Sequence, residues 1–147
     1  MSIMRRTKVG MRLLITGGDV KIELDEDQLV SCKFTTDTPV DGDAEIADTM
    51  VIKGKIMTVG ADANADETMK LMKWATLKAG DPGSYKEASV EVFFGDRVIR
   101  RVVLPKAFVV SYVEDFLNVE GIGDFELKIR QKEDESKDIL IEGGYRL

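Results

Sequence analysis

Apolar and charged residues alternate with a period of two in the last third of the chain, most regularly over residues 125–130. Such a period places the apolar side chains on one face of a β-strand and the charged ones on the other. The apolar positions are Phe125, Leu127 and Ile129, and the charged positions are Glu126, Lys128 and Arg130. An apolar run at residues 107–113, which ends in Glu114 to Phe116, lies before it, and a shorter one at residues 139–141 lies after it. The pattern therefore predicts a three-stranded antiparallel meander.

The same patterning predicts further strands in the first two-thirds of the chain, separated by glycine-rich and acidic turns. These strands are expected at residues 12–15, 20–24, 29–34, 50–59, 86–94 and 97–104. Pro105 is expected to end the last of them or to mark a sheet edge. With about eight or nine strands and one helix, the predicted fold is mainly β, an antiparallel β-barrel or sandwich with the helix at one end or flank.

One segment, residues 66–79, has the spacing of an amphipathic helix. Its apolar residues are Met69, Leu71, Met72, Trp74, Ala75 and Leu77. A tryptophan with methionines beside it is compatible with a ligand pocket, but packing of the whole stripe against the sheet is the simpler interpretation.

The composition fits one folded domain and disfavours several classes of function. The chain has 147 residues, 44% of them hydrophobic, and a net charge of −6, which argues against global disorder and against generic nucleic-acid binding. No stretch is long enough to span a membrane and no signal peptide is evident, so we expect cytoplasmic synthesis, with any release following another route. We expect residues 1–10 to form a flexible basic leader and residues 11–147 to form a single barrel domain.

The sequence offers little for catalysis, metal binding or cofactor binding. Histidine is absent and Cys32 is the one cysteine, so the commonest general base and metal ligand are missing. Cys32 is predicted to be a small, half-buried strand residue rather than a reactive thiol. Glu114 and Asp115 are adjacent on a strand and point to opposite faces, which suits shared acid–base chemistry poorly. We therefore expect a non-enzymatic protein without a metal site or cofactor.

Residues 35–49 form a long acidic segment, rich in turn residues, between two predicted strands. Loops of this length inside a compact domain are commonly functional or disordered. Two interpretations stay open on composition alone: a mobile surface loop, and an arm that becomes ordered only against a neighbouring subunit.

The C-terminal half also carries a series of short patterns, preceded by a helix with Leu71 and Trp74 and by a hairpin. In chain order the patterns are Ala107 with Phe108, Tyr112, Glu114 to Phe116, Gly121 with Gly123, the alternating strand 125–130, and a final strand before Gly143 and Gly144. This order, over residues 66–145, resembles the Hcp-type tube subunits of type VI secretion systems, contractile injection systems and phage tails.

The resemblance implies a β-barrel with one helix, six copies of which would form a ring, with rings stacked into a hollow tube. Segment 35–49 would be an extended arm that reaches an adjacent subunit or ring. Its interface residues would be Asp37, Pro39, Asp41, Asp43, Glu45 and Ile46. Glu126, Lys128 and Arg130 would lie on the lumen or the outer wall. The implied partners are further copies of the chain and the sheath, spike or baseplate proteins of a phage-tail-like particle or secretion tube, without nucleic-acid specificity or membrane insertion.

Other functions remain compatible with the sequence. The chain could be a baseplate or tube-capping component of the same kind of machine, with the same fold. It could also be a small β-barrel that binds a ligand, or that binds a protein partner through residues 35–49. A deep apolar pocket with converging polar groups would favour the ligand-binding alternative.

Overall fold

The structure is a computed structural model that describes residues 9–37, 47–58, 60, 63–78, 80–118, 121–132 and 138–144. Within these residues the chain forms an eight-stranded sheet and one α-helix, so the predicted mainly β fold class is confirmed. In chain order the elements are β1 (Val9–Gly17), β2 (Val20–Leu24), β3 (Leu29–Asp37), β4 (Ala47–Met57), α1 (Ala65–Ala75), a 3-10 turn (Pro82–Ser84), β5 (Lys86–Phe94), β6 (Arg97–Phe116), β7 (Ile122–Gln131) and β8 (Leu140–Glu142).

All the strands belong to one antiparallel sheet, in the order β2-β1-β5-β6-β7-β4-β3, with β8 paired to β6. The end strands β2 and β3 follow each other in sequence, and both contribute to one core through Leu24 and Leu29. The sheet must therefore curl until its two ends approach each other. No ladder joins β2 to β3 in the part of the chain that the structure describes, so hydrogen bonds do not close the barrel.

Strand β7 lies at the centre of this arrangement. Its residues Phe125, Leu127 and Ile129 are buried in the core, and the charged residues between them face away from it. Over almost its whole length β7 pairs with β6 on one side and with β4 on the other. The face predicted from the period-two pattern is thus the middle of the hydrophobic core.

Helix α1 packs one narrow face against the sheet. The buried residues of this face are Thr68, Leu71 and Trp74. Trp74 belongs to the core and its Nε1 donates to the Ser84 carbonyl at 2.9 Å, so its interpretation as a packing residue is confirmed. Met69 and Met72, expected in the same stripe, are 46% and 42% exposed. They follow buried positions by one residue and therefore lie about 100° further round the helix.

The helix spans Ala65–Ala75 rather than the predicted 66–79. At its end the Thr76 hydroxyl donates to the Lys73 carbonyl at 2.8 Å and satisfies one of the last backbone acceptors. At its start the Asn64 side chain accepts from the Met57 N–H and donates to the Lys55 carbonyl, which fixes α1 to the end of β4. No helix in the described ranges is both long enough and apolar enough to cross a membrane.

Strand β6 continues through Pro105, where the sequence analysis placed a strand end. Leu104 pairs with Ala88 and Ala107 pairs with Lys86, so three steps along β6 match two along β5. This extra residue is a β-bulge, a position where a proline can lie within a strand because the ladder is already interrupted.

Strand β8 pairs with β6 and not with β7, so the predicted meander is wrong in its last step. The register joins Val103 to Leu140 and Arg101 to Glu142, and the last two side chains form a salt bridge at 3.0 Å. Because β5 holds the other edge of the same residues, β8 must occupy the edge that β7 uses further along β6. Strand β6 spans Arg97–Phe116 and is longer than predicted, so one edge of it can pair with both β8 and β7.

Two predicted boundaries also change. Val9 and Gly10, placed in the leader, pair with Phe94 and Phe93 of β5, so the first strand begins inside the predicted segment 1–10. The β3–β4 ladder extends to Asp37 and Ala47, so strand pairing shortens the predicted loop 35–49 at both ends. Residues 1–8 and 38–46 lie outside the described residues.

Leu127→Ala should destabilise the fold strongly, because Leu127 is fully buried in the central strand. We expect the free energy of unfolding to fall by about 2–5 kcal/mol, the usual cost of such a core truncation. Leu117→Ala, the same change at a residue that is 57% exposed, should cost less than about 0.5 kcal/mol. Urea unfolding of the three proteins measures both values, and equal losses would contradict the assignment of the core.

Candidate assembly surfaces

The three predicted wall residues lie together on the face of β7 that points away from the core. Glu126 forms a salt bridge with Lys53 of β4 at 3.5 Å, and Arg130 Nε donates to Thr49 Oγ1 at 3.3 Å. Lys128 lies between them and is half-buried. The charged face therefore extends from β7 onto β4. Its placement on the lumen or on the outer wall of a tube stays a prediction.

Two exposed valines interrupt this charged surface. Val30 is 55% exposed and Val113 is 53% exposed, and together with Lys53 and Glu126 they line a shallow cleft of about 300 Å³. Apolar side chains grouped on an outer sheet face are typical of protein contact sites. The sequence analysis missed this cleft. The sequence feature that could have indicated it is the pair Leu29 and Val30, because two adjacent apolar residues break the alternation of β3. The β3–β4 register shifts at this point.

Strand β2 is one end of the sheet, and helix α1 covers part of its outer edge. Glu67 Oε2 accepts from the Glu23 N–H at 3.0 Å, and Lys70 Nζ donates to the Lys21 carbonyl at 3.0 Å. The two helical side chains hold each other through a 2.7 Å ion pair. We call this set of bonds the edge cap. An added strand would need the same backbone groups, so the edge cap opposes strand addition at β2.

The Glu67 carboxyl lies among positive charges. Partial burial raises the pKa of Glu67, but the hydrogen bonds from Lys70 and the Glu23 N–H, together with the charges of Lys70 and Lys21, outweigh that effect. The pKa of Glu67 therefore lies below its ordinary value. The position of Glu67 in the first turn of α1 is also favourable for a negative charge.

Strand β3 is the other end of the sheet, and it pairs with β4 alone in the described part of the chain. Phe34 lies opposite the buried Met50, yet it is 38% exposed, since within the described residues no strand pairs with the outer edge of β3. Cys32 is half-buried, as predicted, and burial raises the pKa of its thiol to about 12, which keeps it in the unreactive thiol form. The β3 edge thus combines available backbone groups with a partly exposed aromatic ring.

The predicted arm begins where this open edge ends. Asp37 is the last residue of β3, is exposed, and pairs with Ala47. Just before it, the Thr36 hydroxyl donates to Asp48 Oδ1 at 2.9 Å and fastens the base of the arm. The other predicted interface residues lie outside the described residues: Pro39, Asp41, Asp43, Glu45 and Ile46.

The adjacent acids of β6 behave as the strand geometry predicts. Glu114 lies opposite the buried Phe125 and accepts a 2.6 Å hydrogen bond from the Tyr112 hydroxyl, whereas Asp115 is exposed on the other face. Burial, and then the hydrogen bond and charge of Glu114, raise the pKa of Tyr112. Glu114 and Asp115 are therefore not brought together as an acid–base pair.

A second cleft tests the ligand-binding alternative. It has a volume of about 610 Å³ beside β1, β2 and the start of α1, and its charged lining residues are Arg12, Glu23, Asp25, Glu67, Glu91 and Arg101. Small-molecule sites are mostly apolar with few polar groups. This mixed-charge lining does not match the deep apolar pocket which that alternative requires. Among the described residues, no group of three or more potential His, Cys, Asp or Glu ligands could hold a metal ion.

Solved structures provide a parallel for the whole arrangement. The chain is similar to Hcp1 from Flavobacterium johnsoniae, with a TM-score of 0.55 and 16% sequence identity over 90% of this chain and 96% of that chain. The chain has an Hcp-like fold. The Hcp-like resemblance noted from the sequence is thereby confirmed at the level of the fold.

Two further solved structures are similar to the chain at lower TM-scores. One is the tube-terminating cap of the anti-feeding prophage, at 15% identity over 90% of this chain and 88% of that chain, with a TM-score of 0.48. The other is a sheath/tube terminator of the PVC extracellular contractile injection system, at 12% identity over 90% and 94%, also with a TM-score of 0.48. The sequence matches no family model and no curated protein.

Glu67→Ala should expose the edge of β2, because it removes the acceptor of the Glu23 N–H. We expect that amide to exchange with solvent about tenfold faster, as for the loss of one charge-assisted hydrogen bond. The exchange rate of the Ile22 N–H should not change, because in an antiparallel ladder this N–H points toward β1. Residue-resolved hydrogen exchange by NMR measures both. An unchanged rate at Glu23 would contradict the edge cap.

The Glu67–Lys70 interaction should also depend on pH. Since the pKa of Glu67 is lower in the folded state than its unfolded value of about 4.3, its contribution is present above that pH and is lost as the pH falls through the folded pKa. A double-mutant cycle of Glu67→Gln and Lys70→Gln should give a small favourable coupling at about pH 7 that shrinks at about pH 3. Urea unfolding measures the coupling, and a value that does not change with pH would contradict this expectation.

Proposed function

We propose that the chain is a subunit of a phage-tail-like tube and that six copies form a ring, with rings stacked around a hollow lumen. The observation that supports this most directly is the difference between the two ends of the sheet: the edge cap covers part of β2, whereas among the described residues β3 pairs with β4 alone. If the β3 edge of one copy contacts a different surface of the next copy, the contact is head-to-tail. Head-to-tail contacts form a closed ring when their rotation permits closure.

The arm extends the same surface. Residues 35–49 begin on the open edge of β3, and Asp37 marks where the described part of β3 ends. In the proposed ring this segment contacts an adjacent subunit through Asp37, Pro39, Asp41, Asp43, Glu45 and Ile46. The Val30–Val113 cleft lies near the same edge and supplies apolar contact area beside the backbone groups.

The charged face of β7 suits the wall of a wet channel. Glu126, Lys128 and Arg130 face away from the core, and the bond from Glu126 to Lys53 continues the polar surface onto β4. A wall of mixed charge stays hydrated and adheres weakly to apolar cargo. The Hcp-like fold supports a role as a tube component, and sheath, spike or baseplate proteins are the proposed partners.

Electron microscopy of the purified protein tests this proposal. We expect ring-shaped particles with six-fold symmetry that stack into tubes at high protein concentration. Val30→Lys should abolish the rings without lowering the melting temperature, because a charge on an edge strand opposes its use as an interface. Val98→Lys, at a residue that is 40% exposed on the β5–β6 hairpin, is the matched control and should leave the rings intact.

Two outcomes would count against the tube. Monomers at every concentration would contradict ring formation. Single rings that never stack would favour a tube-capping role in the same kind of machine.

A further inference from the structure

A cleft at one end of the barrel gathers lysines. It has a volume of about 390 Å³ and lies between the end of β1, the Pro82–Ser84 turn, the start of β5 and the bulge of β6. Its charged lining residues in the described part of the chain are Lys86, Lys106, Lys132 and Glu87, which are three cations and one carboxylate. We call it the lysine cleft. This local excess of positive charge contrasts with the net charge of −6 of the whole chain.

Lys86 is the residue that indicates a ligand. It is 6% exposed, and in the described structure its ammonium makes one hydrogen bond, to the Gly17 carbonyl oxygen at 3.4 Å. That distance is beyond the usual range for an N–H···O bond. A buried ammonium that has no ion-pair partner among the described residues is costly, and a carboxylate entering the cleft would offset this cost through charge-assisted hydrogen bonds.

The backbones of the other two lysines are joined directly. The Lys132 N–H donates to the Lys106 carbonyl at 2.8 Å, and the Lys132 ammonium lies 5.8 Å from the centre of the Tyr85 ring. At the inner end, a Cβ on Gly17 would lie 2.8 Å from Cγ of Lys86, so glycine is needed there for the lysine stem to fit. Backbone pairing and the close packing at Gly17 therefore fix the main chain on two sides of the cleft.

We infer that the lysine cleft binds carboxylates from the acidic segment 35–49 of a second copy of the chain. This inference rests on the proposed ring and names the surface that receives the arm. The segment contains no lysine or arginine, and its acids are Asp37, Asp41, Asp43, Glu45 and Asp48. Opposite charges on two different surfaces of one molecule favour head-to-tail contacts and oppose contacts between identical surfaces.

The length of the arm limits how far away the cleft of the neighbouring copy can lie. Asp37 and Ala47 fix its two ends on β3 and β4. The residues between them span at most about 30 Å when extended, so a loop with both ends fixed reaches about 15 Å from the barrel. A lysine cleft within that distance on a neighbouring subunit is accessible without any change in the barrel.

A charge exchange between two variants tests the inference. Lys106→Glu with Lys132→Glu makes the cleft acidic, and Asp41→Lys with Asp43→Lys makes the arm basic. Each variant alone should form at least about tenfold fewer rings than the original protein, because arm and cleft then repel each other. An equal mixture should restore rings, since each arm then meets a cleft of opposite charge on the other variant.

Two further variants identify the source of the carboxylates. If all four changes on one chain restore rings while the mixture does not, the arm binds its own cleft and the inference is overturned. The acids that follow Lys132 in sequence, Glu133, Asp134 and Glu135, are the nearest alternative source. Neutralising them with Gln, Asn and Gln should leave ring formation unchanged, and a loss of rings in this control would also overturn the inference.

A peptide experiment separates this inference from the proposed function, because it needs no rings. A synthetic peptide of residues 35–49 should bind the original protein in calorimetry, more weakly as salt rises. Binding should disappear with Asn and Gln in place of its acids, or with Lys86→Met. The Lys86→Met protein should be at least as stable as the original, because a buried charge is removed. Rings without arm–cleft dependence would overturn this inference alone, and peptide binding without rings would overturn the ring proposal alone.

Discussion

A sheet that is not closed by hydrogen bonds leaves backbone N–H and C=O groups along its two end strands without partners in the sheet. In this chain the two end strands differ in how these groups are covered. At β2, Glu67 and Lys70 reach from α1 and bond two outward-facing groups of the strand. At β3 no described element performs this role. One helix therefore has two functions in the fold: it covers the core with Leu71 and Trp74, and it makes the two ends of the sheet unequal.

The long strand β6 distributes the remaining contacts. Its first half lies between β5 and β8, and its second half pairs with β7. The bulge at Pro105 separates the two halves and contributes Pro105 and Lys106 to the lysine cleft. A local irregularity in one strand thus both permits the change of partners and forms part of a charged surface at the end of the barrel.

The period-two pattern of residues 125–130 identified the central strand and its buried face correctly, because burial on one side of a sheet is a local property of the sequence. The partner of β8 and the continuity of β6 depend on where distant strands lie, which local patterns do not encode.

Met69 and Met72 were predicted to be buried, but an apolar residue on a helix need not face the core. The edge cap could not be predicted from the sequence, because Glu67 and Lys70 have the spacing of an ordinary helical ion pair. Lys86 falls within an apolar strand pattern, and only the fold shows that its charge is buried.

The strand order also affects how the chain is made. Strand β1 pairs with β5, and β4 pairs with β7. Strands β1 and β4 are therefore synthesised well before the strands with which they pair. Such non-local pairing slows folding and leaves early strands exposed on the ribosome. The β3–β4 hairpin can form early, but β7, which supports it from the other side, is among the last strands translated. A nascent chain therefore keeps unpaired strands until β7 is translated, and such strands promote contacts between unfinished chains.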